Sequence, residues 1–111
     1  MAKNYVQEGD VITLVAPYAV SAGAGALVGS LFGIALSDVA SGASGEFRIE
    51  GVFDITALST DVATQGTKVY WDNTNKRITV TSAGNTLVGA VTQAKASGDT
   101  TARVYLDGAV R

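Results

Sequence analysis

The sequence predicts an all-β protein, a small β-barrel or β-sandwich of short antiparallel strands with an extended N-terminal arm. Two observations support this class. Apolar and polar residues alternate over several short segments separated by clusters of Gly, Asn, Asp and Ser, and no long segment has the period of an amphipathic helix. The polar opening at residues 1–9 lacks any such pattern. We therefore assign residues 1–9 to the arm and residues 10–111 to a single β domain.

The clearest element is a hairpin within residues 67–80. Val69 and Trp71 share one face of its first strand, and Ile78 and Val80 share one face of its second. The intervening segment DNTNK is rich in the residue types that close hairpins, because Asn and Asp side chains bond their own backbone. Trp71 is the only tryptophan. We expect it to anchor the core, an interpretation favoured over a ligand-stacking role.

The other strands are assigned from the same alternation and from the residues that interrupt it. Pro17 ends the first strand, because proline cannot donate to a strand ladder. Gly51 stands in the middle of a strand and suggests a bend or bulge. Residues 56–66 predict either a single helical turn or an irregular crossover. The remaining predicted strands, in chain order, occupy residues 11–16, 26–36, 47–55, 87–91 and 100–108.

Residues 11–37 contain no charged side chain, so a membrane span has to be considered. Gly25, Gly29 and Gly33 have the four-residue spacing that lets transmembrane helices approach closely. However, proline and serine residues interrupt the run, and the nearest flanking charges are acidic rather than basic. We therefore favour a loop followed by one strand at residues 26–36 that is buried on both faces, and we expect no membrane partner.

The residue inventory argues against catalysis. The chain has no Cys and no His, so it lacks thiolate ligands and the usual near-neutral acid–base group. The glycines of residues 23–29 have the wrong spacing for a dinucleotide fingerprint, and residues 66–69 depart from a phosphate-binding loop. We expect no catalytic residue, cofactor or metal site. The dispersed aspartates are expected to be solvated surface groups: Asp54, Asp61, Asp72, Asp99 and Asp107.

Five residues are candidates for contact with a capsid or with another subunit. Tyr70 and Tyr105 fall on the outward faces of predicted strands, and tyrosine combines apolar area with a polar tip. Ordinary packing is an equally good interpretation of both. Asn4, Tyr5 and Val6 lie in the arm, which we expect to become ordered on contact. The low charged fraction, 16%, suits a protein partly covered by copies or a partner.

Several ordered blocks resemble a known family. They are AKNYVQEGD at the start of the chain, then LVGSLFGIAL, EGVFDI, TKVYWD, AGNTLVGAV and SGDTTARVYL. Together they resemble the capsid cement, or decoration, proteins encoded in the head-gene clusters of tailed phages and prophages. Some members of that family are labelled predicted recombinases, an activity whose phosphate-binding loop this chain lacks.

The resemblance implies a non-enzymatic protein that binds the outside of the major capsid protein lattice and stabilises the head. It further implies a homotrimer, located on the outer capsid surface of the virion and in the host cytoplasm before assembly. The alternative is a β-barrel module that binds single-stranded nucleic acid in recombination. Such a module needs basic and aromatic residues on one face, for which Lys68, Tyr70, Arg77, Arg103 and Tyr105 are available. The net charge of −2 argues against it, so we expect no nucleic-acid partner.

Overall fold

A computed structural model describes residues 10–110, which form nine β-strands and no helix. The strands make two antiparallel sheets, so the predicted all-β class is confirmed. In chain order they are β1 (Val11–Val15), β2 (Gly25–Val28), β3 (Leu31–Ala35), β4 (Ser44–Arg48), β5 (Glu50–Thr56), β6 (Lys68–Asp72), β7 (Arg77–Thr79), β8 (Thr86–Val91) and β9 (Thr101–Asp107). The arm, with Asn4, Tyr5 and Val6, lies outside the described residues.

The first sheet has four strands in the order β1-β4-β3-β2. Its centre is Phe47 of β4, which is fully buried and lies opposite Ile12 of β1 and Ala35 of β3. At the β2 edge the Tyr18 hydroxyl donates to the Gly25 carbonyl at 2.9 Å. Burial raises the pKa of Tyr18. The β2 edge is therefore partly covered by the loop that precedes it, whereas β1 forms the opposite edge.

The second sheet has five strands in the order β5-β9-β8-β6-β7, and it curls into a half-barrel. The curl brings its two ends together, since Ala57, just after β5, forms a parallel bridge with Ile78 of β7. The Leu58 amide donates to the Ile78 carbonyl at 2.9 Å. The two terminal strands of the sheet therefore meet where β5 ends, at Ile78 of β7.

The larger hydrophobic core joins the two sheets. Phe32 and Ile34 enter it from β3, and most of its other members come from the five-stranded sheet. The Phe32 and Trp71 rings meet with centroids 4.9 Å apart at 49°. Gly25 leaves the necessary space, because a Cβ there would lie 2.6 Å from the Phe32 ring. Trp71 is 2% exposed, so its predicted role as a core anchor is confirmed.

The segment at residues 47–55, predicted as one strand, is two strands that belong to different sheets. β4 ends at Arg48 and β5 begins at Glu50, with buried Ile49 between them. The alternation of apolar and polar residues continues across the junction, which is why the pattern reads as continuous. The predicted bend is nearby, since Gly51 has a φ of 126°, a value that side chains rarely allow.

The prediction of a single strand at residues 26–36 is wrong, because this stretch is the β2–β3 hairpin. Val28 pairs with Leu31 across a two-residue turn, and Gly29 takes the left-handed φ of 61° that the turn requires. Burial on both faces is nevertheless confirmed for β3, in which the last four residues are all buried. Within residues 10–110 no helix is long and apolar enough to cross a membrane.

Residues 56–66 form an irregular crossover and not a helical turn. Asp61 holds it against the sheet, because its carboxylate accepts bonds from the Thr79 hydroxyl at 2.8 Å and the Val80 amide at 3.0 Å. Asp61 is half-buried, so its expected place among the solvated aspartates is wrong. The buried Lys95 ammonium donates to the Asp61 carbonyl at 2.7 Å and fastens the crossover to the loop before β9.

The predicted hairpin at residues 67–80 is confirmed as β6 and β7, with Trp71 opposite Ile78. Asp72 closes its turn, since its carboxylate accepts from the Thr74 amide at 3.0 Å and the Asn75 amide at 3.1 Å. The Asn75 side-chain bond contributes most to holding the pKa of Asp72 below its ordinary value. In this way local side-chain bonding fixes the β6–β7 register.

We expect the Trp71→Ala substitution to lower the free energy of unfolding by about 3–5 kcal/mol, because it leaves a cavity at the point where the sheets meet. Urea unfolding followed by circular dichroism measures this change. The matched control is Val62→Ala, which truncates a side chain that is 63% exposed and should cost less than about 0.5 kcal/mol. Equal losses in the two variants would contradict the central position of Trp71.

Candidate interaction surface

The outward face of the five-stranded sheet carries an exposed apolar strip. Val52 of β5 lies opposite Tyr105 of β9, and Tyr105 lies opposite Ala90 of β8. Val52 is 52% exposed and Tyr105 51% exposed. Tyr105 is exposed because side chains alternate along β9, in which the neighbouring Val104 and Leu106 point inward and are buried. A tyrosine and a valine so exposed on the outward face of a sheet are typical of a protein contact surface.

A shallow depression of about 230 Å³ lies beside Tyr105. Leu87 and Ala90 of β8 form its floor together with Gly89, and Lys68 and Asp107 stand at its rim. Gly89 cannot be enlarged, because a Cβ there would lie 2.1 Å from the Tyr105 carbonyl oxygen. The depression is apolar within and charged at its edge, an arrangement suited to an apolar side chain from a partner protein.

Tyr70 lies on the same face of the sheet as Tyr105, two strands away. It lies opposite Leu87 of β8, immediately after a bulge between Val69 and Tyr70. Its neighbours Val69 and Trp71 are buried, so Tyr70 points outward, although it is only half-buried and less exposed than Tyr105. The structure therefore brings the two candidate tyrosines onto one surface, with Leu87 and Ala90 between them. We name this surface the tyrosine face; across the strands it comprises Val52, Tyr105, Ala90, Leu87 and Tyr70.

An ion pair stands at one end of the tyrosine face. Arg103 lies directly opposite Asp54, and its guanidinium makes two bonds to the carboxylate, Nε to Oδ1 at 3.0 Å and Nη2 to Oδ2 at 3.2 Å. Its Nη1 donates to the Gln93 side chain at 3.0 Å. The hydrogen bonds from Arg103 lower the pKa of Asp54, and Asp54 in turn raises the pKa of Arg103. Most of the donors of this arginine are thus occupied within the chain.

The charge on this sheet does not favour a phosphate backbone. Its five strands carry three basic side chains, Lys68, Arg77 and Arg103. They also carry four acidic ones, Glu50, Asp54, Asp72 and Asp107. Arg103 is paired with Asp54, and Arg77 lies opposite Asp72. The five residues considered for nucleic-acid binding do share this sheet, but they share it with an excess of carboxylates.

The residues that the structure describes do not form a cluster that could bind a metal ion. Within residues 10–110 no three carboxylates lie close enough together to hold a metal ion. Asp54 and Asp72 are occupied by Arg103 and by the β6–β7 turn, and Asp61 holds the crossover. Asp99 accepts a bond from the Ala96 amide in a turn. Each of these carboxylates therefore serves the backbone or an ion pair.

Sequence reasoning missed the apolar neighbours of the tyrosines. Val52 and Leu87 were assigned to strands, but alternation alone does not show which strands lie side by side. The pairing of β5 with β9, across 53 residues from Val52 to Tyr105, is a long-range contact that no local pattern contains. The only available signal was Val52 itself, an apolar residue on the otherwise polar face of its segment.

Comparison with known proteins identifies the family. The family model described as phage cement protein matches residues 6–106 of the 111-residue chain. No curated protein and no solved structure matches the chain significantly. The match extends from Val6 in the arm to Leu106 in β9 and includes Val52, Tyr70, Leu87, Ala90 and Tyr105. Since it covers most of the chain, this protein belongs to the phage cement protein family and has a structural role associated with the phage capsid.

The Arg103→Gln substitution is expected to raise the pKa of Asp54 towards its ordinary value, because it removes the bidentate bond. The paired Asp54 stabilises the fold at pH values above the unfolded pKa of about 3.9, and this contribution is lost as pH falls through the lower folded pKa. A carboxyl-carbon NMR titration measures the pKa. Lys68→Gln, on the same sheet, should leave it unchanged. A low pKa of Asp54 that persists in Arg103→Gln would contradict the assignment.

Proposed function

We propose that this protein is a capsid cement subunit that binds the outside of the major capsid protein lattice and stabilises the head. The observation that carries the proposal is the family match over residues 6–106. The exposed apolar strip on the tyrosine face supports it, because a protein that works by contact needs such a surface. Because the family is structural, we propose that the protein is not an enzyme and that it is part of the virion.

The tyrosine face is the proposed capsid-contacting surface. Val52, Leu87 and Tyr105 offer apolar area on a rigid sheet, so their side chains are ordered before binding and lose little entropy on contact. Lys68 and Asp107 stand at the rim, where charges select orientation more than they add affinity. Each single contact of this size is weak. Repetition over a symmetric lattice turns many weak contacts into strong attachment.

The arm supplies the second proposed contact. Asn4, Tyr5 and Val6 lie before β1 in the sequence, and Tyr5 and Val6 are the apolar members of the arm. A segment that becomes ordered on binding can cover a neighbouring subunit at a distance from the folded part. Nine extended residues reach roughly 30 Å. We propose that the arm contacts the major capsid protein or a neighbouring copy, and that the protein is a homotrimer.

Its proposed location is the outer capsid surface, with the free protein in the host cytoplasm before assembly. We propose no membrane partner and no nucleic-acid partner. The four acidic side chains on the five-stranded sheet outnumber the three basic ones, which would weaken any contact with phosphates. A position outside the shell also removes the protein from the packaged DNA. The protein would then stabilise the capsid because it bridges neighbouring capsid subunits and so opposes the internal pressure.

Replacing Tyr105 by Ala should weaken binding to capsids that lack this protein by roughly ten- to thirtyfold, as loss of a central aromatic anchor does. The measurement is the number of copies that cosediment with such capsids over a concentration series. The matched control, Val62→Ala, removes exposed apolar area from the crossover and should bind normally. Equal binding by the two variants would exclude the tyrosine face as the capsid contact.

Deleting residues 2–6 should reduce capsid binding and leave the circular dichroism spectrum and melting temperature unchanged, because these residues precede every described strand. The same variant, examined by sedimentation equilibrium, tests whether the arm also holds the trimer together. The intact chain is expected to have three times the monomer mass. Unchanged binding and unchanged mass after the deletion would exclude a contact role for Asn4, Tyr5 and Val6.

A further inference from the structure

A cleft of about 250 Å³ lies between the two sheets, beside the β2 edge. The buried residues Gly25 of β2, Ile55 of β5 and Trp71 of β6 line its interior. The loop before β2 lines one side, and Lys76 of the β6–β7 turn lines the other. Sites for small molecules usually measure about 300–1,000 Å³. Because this cleft is smaller and apolar within, it suits one or two side chains of a polypeptide.

The two sides of the cleft carry opposite charges. Among residues 10–110, Lys76 is the one charged residue that lines the cleft, and its ammonium lies 4.3 Å from the centre of the Tyr18 ring. The same ammonium donates to the Asn73 carbonyl and to Asn73 Oδ1. On the loop side, the Asp38 carboxylate accepts a bond from the Ala22 amide at 2.9 Å. A segment that fits this cleft therefore has an apolar residue between a cation and an anion.

The arm has this pattern. In its sequence, MAKNYVQEG, Lys3 precedes the apolar pair Tyr5 and Val6, and Glu8 follows it. Tyrosine is suited to such a place, because its ring can be buried while its hydroxyl finds a polar partner at the rim. With Lys3 towards Asp38 and Glu8 towards Lys76, the arm has one favoured direction across the cleft.

The arm of the same copy is too short to fill the cleft. Four residues form one row across the first sheet, from the β2 edge to the β1 edge: Gly25, Ile34, Arg48 and Val11. This row spans three strand spacings, roughly 14 Å. The β2–β3 hairpin extends beyond the end of β4, so a path from Asp10 must also cross the face of the sheet, which adds about 10 Å. Tyr5, five residues before Asp10, reaches only about 17 Å.

We infer that the arm of one copy docks in this cleft of a neighbouring copy, with the Tyr5 ring against Trp71 and Ile55. The inference rests on the proposed contact between the arm and another copy, and it gives that contact a site. Arm and cleft are different surfaces, and contacts of this kind can close into rings, as a homotrimer requires. The tyrosine face stays available for the capsid, since Trp71 points inward from β6 while Tyr70 points outward.

The contact can be tested with single thiols, since the chain has no cysteine. Asn4→Cys leaves Tyr5 in place and puts a thiol on the side of the arm that faces Asp38. Ser21→Cys puts one on the exposed loop that lines the cleft. The two variants, one of them labelled with ¹⁵N, are mixed and mildly oxidised. We expect a covalent heterodimer, identified by its mass, and its yield should fall about tenfold when Tyr5→Ala is added to the Asn4→Cys chain.

The matched control for Ser21→Cys is Val52→Cys. Val52 is 52% exposed and lies about 13 Å along β5 from Thr56 of the cleft, so this variant should give little heterodimer. Equal yields from the two controls of position, or no heterodimer with Ser21→Cys, would overturn the inference. Because no capsid is present, that result would leave the cement function standing, whereas failure of the intact chain to bind capsids would contradict the function and not this contact.

A second measurement tests the direction of the arm at equilibrium. Glu8→Lys alone and Lys76→Glu alone should each raise the dissociation constant of self-association roughly tenfold, because each places like charges together. The two changes combined should restore the original constant. Sedimentation velocity over a concentration series measures all three variants, and circular dichroism checks that each is folded. An unchanged constant in the single variants, or no recovery in the combined one, would overturn the inference.

Discussion

The packing of Phe32 against Trp71 is the contact on which the rest of the structure depends. It joins a strand of the four-stranded sheet to a strand of the half-barrel, and each ring is almost fully buried. Gly25 is required beside them, since any side chain would collide with the Phe32 ring. A core of this kind in a chain of 111 residues holds two sheets in a fixed relation without disulfides, since the chain has no cysteine.

With the sheets fixed in this way, the outward face of the five-stranded sheet remains available for assembly. The tyrosine face is an arrangement of side chains, in which Val52 and Tyr105 stand outward because Val104 and Leu106 are used in the core. A cement protein needs at least one surface for the capsid, and we propose that the tyrosine face is that surface.

The sequence was informative wherever local chemistry determines structure. The β6–β7 hairpin and the alternation of β9 follow from Asp72, Asn75 and the period of two, and both predictions are confirmed. The β2–β3 hairpin was missed, although Gly29 followed by Ser30 between apolar runs is a recognised hairpin signal. The break at Ile49 has no such signal, because alternation continues through it while the chain passes from one sheet to the other.

The candidate surface was predictable only in part, because the local sequence pattern does not show which strands pair. Tyr70 and Tyr105 were identified as outward-facing from the period of two, but their common surface depends on which strands pair. The half-buried Asp61 and the buried Lys95 were also beyond prediction, since each is determined by contacts made in the folded chain. Family membership came from ordered blocks over the whole length, and it carries the functional conclusion that no single residue could.

The central claim is that this protein acts by binding the outside of a phage capsid. Electron cryomicroscopy of intact particles tests it most directly. We expect density for the two-sheet fold on the outer surface, in register with the capsid lattice, with the tyrosine face against the major capsid protein. Particles that lack the protein, or that carry it inside the shell, would contradict the account.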